Sequence, residues 1–180
     1  YAMWCVIVAV MLVAPEVVLI LGGKEYYESR IVVLPLLACT FFTFLYLLPS
    51  TTEYYLKKTW NIAFATSCIA VLNIILNYFF IKQFGYIAGA YTTLFCYICY
   101  FLFHYLMAKK LIGFQQFDTK IIAILAVLLF AVLAVCYVLL DLLVVRWTLM
   151  ILFVSVNVLL LLKLYKTGKL KGLVGEKNNE

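Results

Sequence analysis

The sequence has little charge and no long polar segment. Only 12% of its 180 residues are charged, whereas a typical soluble domain has about 25%. The hydrophobic fraction is 68%, and the mean hydropathy is +1.12. No water-soluble core buries that much apolar surface, so the composition excludes a separate soluble domain and predicts an integral membrane protein.

The sequence also lacks a disulfide framework and the usual catalytic motifs. All six cysteines lie inside apolar runs, where a thiol behaves as a small hydrophobe. Cys96 and Cys99 share a helix face, but no second ligand pair accompanies them, so we expect packing and not a metal site. There is no nucleophile beside a base, no paired carboxylates and no Gly-rich phosphate loop. The sequence therefore predicts neither an enzyme nor a cofactor.

Long apolar windows recur along the whole chain. A helix needs about 20 apolar residues to cross a hydrocarbon core of about 30 Å, and backbone polar groups in lipid must be satisfied within the helix. Six windows qualify: about 1–21, 31–52, 59–81, 83–108, 121–140 and 147–162. We predict an all-α bundle of six spans in one transmembrane domain, 1–180, with a basic tail at 163–180. The chain opens inside an apolar run at Tyr1 without an initiator Met, so we expect further residues before it.

The loop charges predict the orientation of the bundle. Cytoplasmic loops of membrane proteins carry an excess of Lys and Arg. Four basic residues fall on one side: Lys24, Arg30, Lys82 and Arg146. Ten fall on the other: Lys57, Lys58, Lys109, Lys110, Lys120, Lys163, Lys166, Lys169, Lys171 and Lys177. We therefore expect both ends of the chain on the cytoplasmic side. The net charge of +6 reflects topology and attraction to anionic headgroups and does not imply nucleic acid.

Glu16 is the leading candidate functional residue, because it lies inside the first span. An ionised carboxylate at that depth is costly unless it is paired or hydrated, so Glu16 is expected to face protein or a water-filled cavity. The alternative is that Pro15 bends the helix and Glu16 reaches the outer interface near Lys24, its nearest candidate partner in sequence.

Other polar residues inside the spans are weaker candidates. Asn73 and Asn77 are four residues apart and share a helix face. Hydrogen bonding to a neighbouring helix is their commoner fate, and lining a polar cavity is the alternative. His104 is the only histidine and lies close to Lys109, so an interfacial position is favoured over a proton relay.

The segment from Asn73 to Leu94 carries a family resemblance. Asn73-Ile-Ile-Leu-Asn77 ends one span, Gly85 makes a turn, and a run of small residues opens the next span; Ala88, Gly89, Ala90 and Thr93 belong to the same pattern. This resembles the signature of bacterial polysaccharide flippases, the O-antigen and exopolysaccharide exporters of the multidrug/oligosaccharidyl-lipid/polysaccharide superfamily. The likeness covers residues 14–110, and 111–180 match only in having two further spans and a basic tail.

The resemblance implies a fold and a function. Full-length members have two pseudo-symmetric lobes that rock between inward-open and outward-open states, so the six spans would form most of the second lobe. The expected substrate is an undecaprenyl-diphosphate-linked oligosaccharide. The expected partners are membrane lipids, the missing N-terminal lobe and polysaccharide polymerase machinery. The cytoplasmic membrane of a bacterium is the expected location.

Basic residues at the two mouths are candidates for the substrate path. Lys24 and Arg30 at the outer mouth, or Lys57 and Lys58 at the inner one, are placed to meet the diphosphate, and solvated loop charge is the alternative. Two other functions remain open. One is a drug or cation antiporter of the same superfamily, coupled through Glu16. The other is a membrane scaffold that transports nothing.

Overall fold

The computed structural model describes residues 1–113 and 118–166, and this part of the chain is helical with no strand. The six helices are α1 (Ala2–Gly22), α2 (Arg30–Tyr55), α3 (Thr59–Phe84), α4 (Ile87–Ile112), α5 (Thr119–Val138) and α6 (Leu143–Lys166). A short 3-10 helix, Lys24–Ser29, joins α1 to α2. All six helices are long and apolar enough to cross a membrane, which confirms the predicted all-α polytopic bundle. Most of the predicted basic tail lies outside the described residues.

Several helix ends differ from the predicted windows. The fourth helix begins at Ile87 and not at residue 83, because Gly85 takes a φ of 76° and separates α3 from α4. Helix α2 continues past Pro49 to Tyr55, so Glu53 lies in the helix and not in a loop. Helix α6 begins at Leu143, so Arg146 lies in its first turn. Windows drawn by the absence of charge ended too early at Glu53 and began too late at Arg146, because both charged residues lie inside helices.

The core lies around α2 and α4, the two central helices. Helices α1 and α5 pack against α2, α3 packs against α4, and α6 packs against α1. Fully buried apolar side chains come from several helices, among them Met11, Leu34, Ala38, Phe41 and Leu129. The faces of α3 and α6 are mostly exposed apolar residues, as expected of helices that meet lipid or another part of a larger assembly.

The bundle has two ends that differ in charge. We call the end where α1, α3 and α5 finish the arginine end, because it carries both arginines of the chain, Arg30 and Arg146. Contacts between distant segments define it: the Tyr137 hydroxyl at the end of α5 donates to the Ile31 carbonyl oxygen at the start of α2, at 2.6 Å. The opposite end, where α2, α4 and α6 finish, is the lysine-rich end.

The predicted orientation has a direct test by cysteine labelling. Lys110 and Glu28 are both exposed and lie at opposite ends of the bundle. In a Cys68→Ala background, which removes the exposed native thiol, a membrane-impermeant maleimide added outside intact cells should modify Glu28→Cys and leave Lys110→Cys unmodified, because lysine-rich loops are retained in the cytoplasm. Modification of Lys110→Cys but not of Glu28→Cys would show that the predicted orientation is wrong.

Candidate functional site

Glu16 forms a buried ion pair with Arg146 at the arginine end. The Arg146 Nη2 and Nη1 atoms donate to the two carboxylate oxygens of Glu16, at 2.5 Å and 3.0 Å. Nη1 also donates to the Leu12 carbonyl oxygen at 3.1 Å. The side chain of Arg146 is 2% exposed and that of Glu16 is 17% exposed. The pair therefore ties α1 to α6 in a region largely screened from solvent.

The local sequence explains this geometry. Glu16 lies near the end of α1 and Arg146 lies in the first turn of α6, so both helices present these residues at the same level. The planar guanidinium matches a carboxylate in a two-bond arrangement that an ammonium does not offer. The prediction that Glu16 faces protein is confirmed. The prediction that Lys24 is the partner of Glu16 is wrong. Lys24 lies exposed on the 3-10 helix, and Glu16 pairs with Arg146 of α6.

Arg30 is engaged in a second ion pair at the same end. Its Nη2 atom lies 2.8 Å from Asp141 Oδ1, and the Asp141 side chain is 82% exposed. Its Nη1 atom donates to the Tyr27 hydroxyl at 2.5 Å, and its guanidinium lies 4.1 Å from the centroid of the Tyr27 ring. A diphosphate would have to compete with Asp141 for this arginine.

Asn73 and Asn77 hold α3 against α4. The Asn77 side-chain amide donates to Asn73 Oδ1 at 2.9 Å, and the Thr92 hydroxyl on α4 donates to Asn77 Oδ1. A longer bond of 3.5 Å runs from the Asn73 amide to the Thr93 hydroxyl. These contacts bear out the interhelical reading of the two asparagines, because their side chains bond to each other and to the neighbouring helix.

The small residues of the same motif allow the close approach of the two helices. Ala88 and Ala90 are buried, and a Cβ added at Gly89 would lie 3.2 Å from Ile81 Cδ1. Gly85, with its positive φ, supplies the turn between the helices. The motif that carries the family resemblance is thus a packed helical hairpin.

The remaining predicted path residues lie apart from these. Lys57 and Lys58 are exposed in the turn between α2 and α3, at the lysine-rich end, while Lys24 is exposed at the arginine end. The structure thus brings Glu16 to Arg146 and Asn73 to Asn77. It does not gather the predicted residues into a single site.

Sequence reasoning missed a buried pair at the lysine-rich end. His104 Nδ1 lies 2.6 Å from Glu53 Oε1, and both side chains are 0% exposed. The rings of Tyr100 and Tyr46 lie with their centroids 4.6 Å and 5.9 Å from that of His104. Glu53 Oε2 and His104 Nε2 are buried without a hydrogen-bond partner. The placement of Glu53 outside the second span is therefore wrong. The depth of His104 relative to the membrane interface stays a prediction.

A periodic signal in the sequence points to this pair. Glu53 follows Leu45 and Pro49 at steps of four residues, and both of those residues are buried on α2. His104 lies three residues after Phe101 and four before Ala108, which are buried on α4. Residues at these spacings share a helix face. The buried faces of the two central helices therefore run through both titratable residues.

The outer surface of the bundle carries an apolar groove between α3 and α4. Its volume is about 600 Å³, and its walls include Phe80, Phe84, Tyr91 and Phe95. Such a lining suits hydrocarbon and offers little to a sugar or a phosphate. Within 1–113 and 118–166, no group of three or more His, Cys, Asp or Glu side chains is placed to hold a metal ion.

The resemblance to polysaccharide flippases rests on the α3–Gly85–α4 hairpin and the segments before it. The geometry gives that motif a packing role, and it places the paired charges at the two ends of the bundle. The chain matches no family model, no curated protein and no solved structure.

Proposed function

We propose that this chain forms most of the second lobe of a transporter that flips undecaprenyl-diphosphate-linked oligosaccharide units across the bacterial cytoplasmic membrane for surface polysaccharide synthesis. The observation that carries the proposal is the hairpin signature from Asn73 through Gly85 to Leu94, in a bundle of six helices that are fit to span a membrane. The missing N-terminal lobe, membrane lipids and polysaccharide polymerase machinery are its proposed partners.

The positions of the buried charges support a mechanism of alternating access. Glu16–Arg146 joins α1 to α6 at the arginine end, and Glu53–His104 joins α2 to α4 at the lysine-rich end. Each pair bonds while its helices are packed, and water replaces those bonds when the helices part. Two such contacts at opposite ends would let the helices of this lobe part at one end while they stay packed at the other, as the two lobes rock.

Basic side chains at the mouths supply candidate contacts for the diphosphate. Lys24 at the arginine end and Lys57 and Lys58 at the lysine-rich end are exposed, and a phosphate is bound well by such donors. Arg30 joins them only if the substrate displaces Asp141. Solvated loop charge remains the competing interpretation of all three lysines.

The antiporter alternative has less support from the geometry of Glu16. A coupling carboxylate must exchange its proton or cation during each cycle, whereas the Glu16 carboxylate already accepts two bonds from Arg146. Binding a transported cation there would require Arg146 to leave. A scaffold that transports nothing is separated from the flippase by the deletion experiment below.

Deletion of the gene should cause undecaprenyl-linked oligosaccharide to accumulate on the inner leaflet. The wild-type gene should restore export, while Glu16→Gln should lower it by about tenfold or more, because a charge-assisted bond contributes about 1.5–3 kcal/mol. Glu25→Gln is the matched control, since Glu25 is an exposed carboxylate at the same end. Export is measured as surface polysaccharide at equal expression.

Each arm of the experiment rejects a different claim. A deletion strain without accumulated lipid-linked oligosaccharide would reject the flippase and leave the scaffold alternative. Normal export by Glu16→Gln would reject a role for the carboxylate and leave the flippase standing.

A further inference from the structure

Glu53 and His104 join the two central helices in the least exposed polar contact of the described chain. Both side chains are fully buried, and their single bond spans 2.6 Å. The Glu53 backbone belongs to the last turn of α2, and His104 lies two turns before the end of α4. Any movement that separates α2 from α4 at the lysine-rich end must break this bond.

Two tyrosine rings lie beside the Glu53–His104 pair. Its titratable neighbours are Tyr46 from α2 and Tyr100 from α4, and the Tyr100 hydroxyl bonds to Thr66 of α3 at 2.7 Å. Among the described residues, no Lys or Arg forms an ion pair with Glu53. The charge of the pair must therefore be balanced within the pair itself.

The proton count of the pair decides that balance. An ionised Glu53 with a neutral His104 leaves one net negative charge on side chains that are 0% exposed and that no described Lys or Arg pairs with, which is costly. One added proton makes the pair neutral, whether it lies on the imidazole as an imidazolium beside a carboxylate or on the carboxyl beside a neutral imidazole. We propose that Glu53 and His104 form a binding site for one proton, which is held while α2 and α4 stay packed.

Separation of α2 from α4 should release this proton. Water then solvates the carboxylate by itself, so the penalty that retained the proton disappears and the proton passes to water. The closed state thus binds one proton more than the open state, and a lower pH favours closure by linkage. The use of this step in transport rests on the proposed function, but the binding of the proton does not.

The single histidine of the chain makes the proton count measurable. The protein, labelled with ¹⁵N in its imidazole and held in detergent micelles, is studied by NMR from about pH 5 to about pH 8, the range in which histidine normally changes charge. Infrared spectra detect a protonated carboxyl group. We expect at about pH 7 either two protonated ring nitrogens or one protonated nitrogen with a protonated carboxyl band.

Glu53→Gln should abolish the extra proton, so that His104 becomes neutral at about pH 7 and the carboxyl band is absent. Glu25→Gln, which changes an exposed carboxylate at the other end, should leave both signals unchanged. A neutral His104 in the wild type without a protonated carboxyl band would overturn the proposal. An imidazole that stays protonated in Glu53→Gln would overturn it as well.

The wild-type spectra decide the proton count even if Glu53→Gln does not fold. They also need no transport. A failed export assay therefore leaves the proton site standing, and an unprotonated pair leaves the proposed flippase standing.

Discussion

Arg146→Met should lower the free energy of unfolding by about 3–5 kcal/mol, the usual cost of leaving one member of a buried ion pair alone. Met fills most of the space of the arginine stem but donates nothing to Glu16 or to the Leu12 carbonyl oxygen. The carboxylate then remains in a largely buried position without a partner. Thermal unfolding in detergent, followed by the reaction of the buried thiols of Cys39, Cys96 and Cys136 with a fluorescent maleimide, measures the loss.

Two further variants identify the cause of this loss. The double variant Glu16→Leu/Arg146→Met should recover most of the stability, because a packed apolar pair often replaces a buried ion pair at little cost. Lys24→Met should change stability by less than about 0.5 kcal/mol, since Lys24 is exposed. An equal loss in Lys24→Met and Arg146→Met would identify Lys24 as a partner of Glu16, as predicted from their closeness in sequence.

The helices were the part of the fold that composition could predict. Lipid leaves the backbone no partner outside its own helix, so an apolar run of sufficient length has one available structure. Glycine at 85 marked a turn, although the window for the fourth span began before it. The need to satisfy backbone hydrogen bonds acts within each segment. The helical structure of a segment could therefore be predicted from that segment alone.

The partners of the buried charges were harder to predict. Glu16 and Arg146 are far apart in sequence, and each is costly in a membrane until the other is placed beside it. A rule that assigns charges to loops therefore placed Arg146 outside the sixth span and Glu53 outside the second. Only the packing of α1 on α6, and of α2 on α4, makes those charges compatible with a helix.

The asparagine pair was an intermediate case. Spacing placed Asn73 and Asn77 on one face, and the usual fate of such amides in membranes favoured a neighbouring helix. The partner, Thr92, follows from the hairpin, because the turn at Gly85 folds α4 back along α3. A short connection makes the contacts between its two helices predictable. The charge pairs instead join helices that are far apart in sequence and meet only in the folded bundle.

Removing the two members of the Glu53–His104 pair one at a time should have unequal effects. His104→Leu leaves a fully buried carboxylate alone and should cost about 3–5 kcal/mol at neutral pH. Glu53→Leu leaves an imidazole that can stay neutral, with an unpaired N–H that costs about 1–3 kcal/mol. The same thiol-reaction assay in detergent, at about pH 7.5 where an exposed histidine is mostly neutral, compares the two losses.

The pH dependence of His104→Leu separates an electrostatic cause from a loss of packing. In this variant Glu53 can become neutral in the folded state only by taking up a proton, whereas in the unfolded chain it is solvated and ionised. The folded state then binds more protons than the unfolded state, so the stability of the variant should rise as the pH falls towards about 5. The double variant Glu53→Leu/His104→Leu has no buried carboxyl group at this site. Relative to the wild type, its stability should therefore not rise as the pH falls. Equal losses in the two single variants, both independent of pH, would mean that Glu53 and His104 stabilise the α2–α4 contact by shape alone.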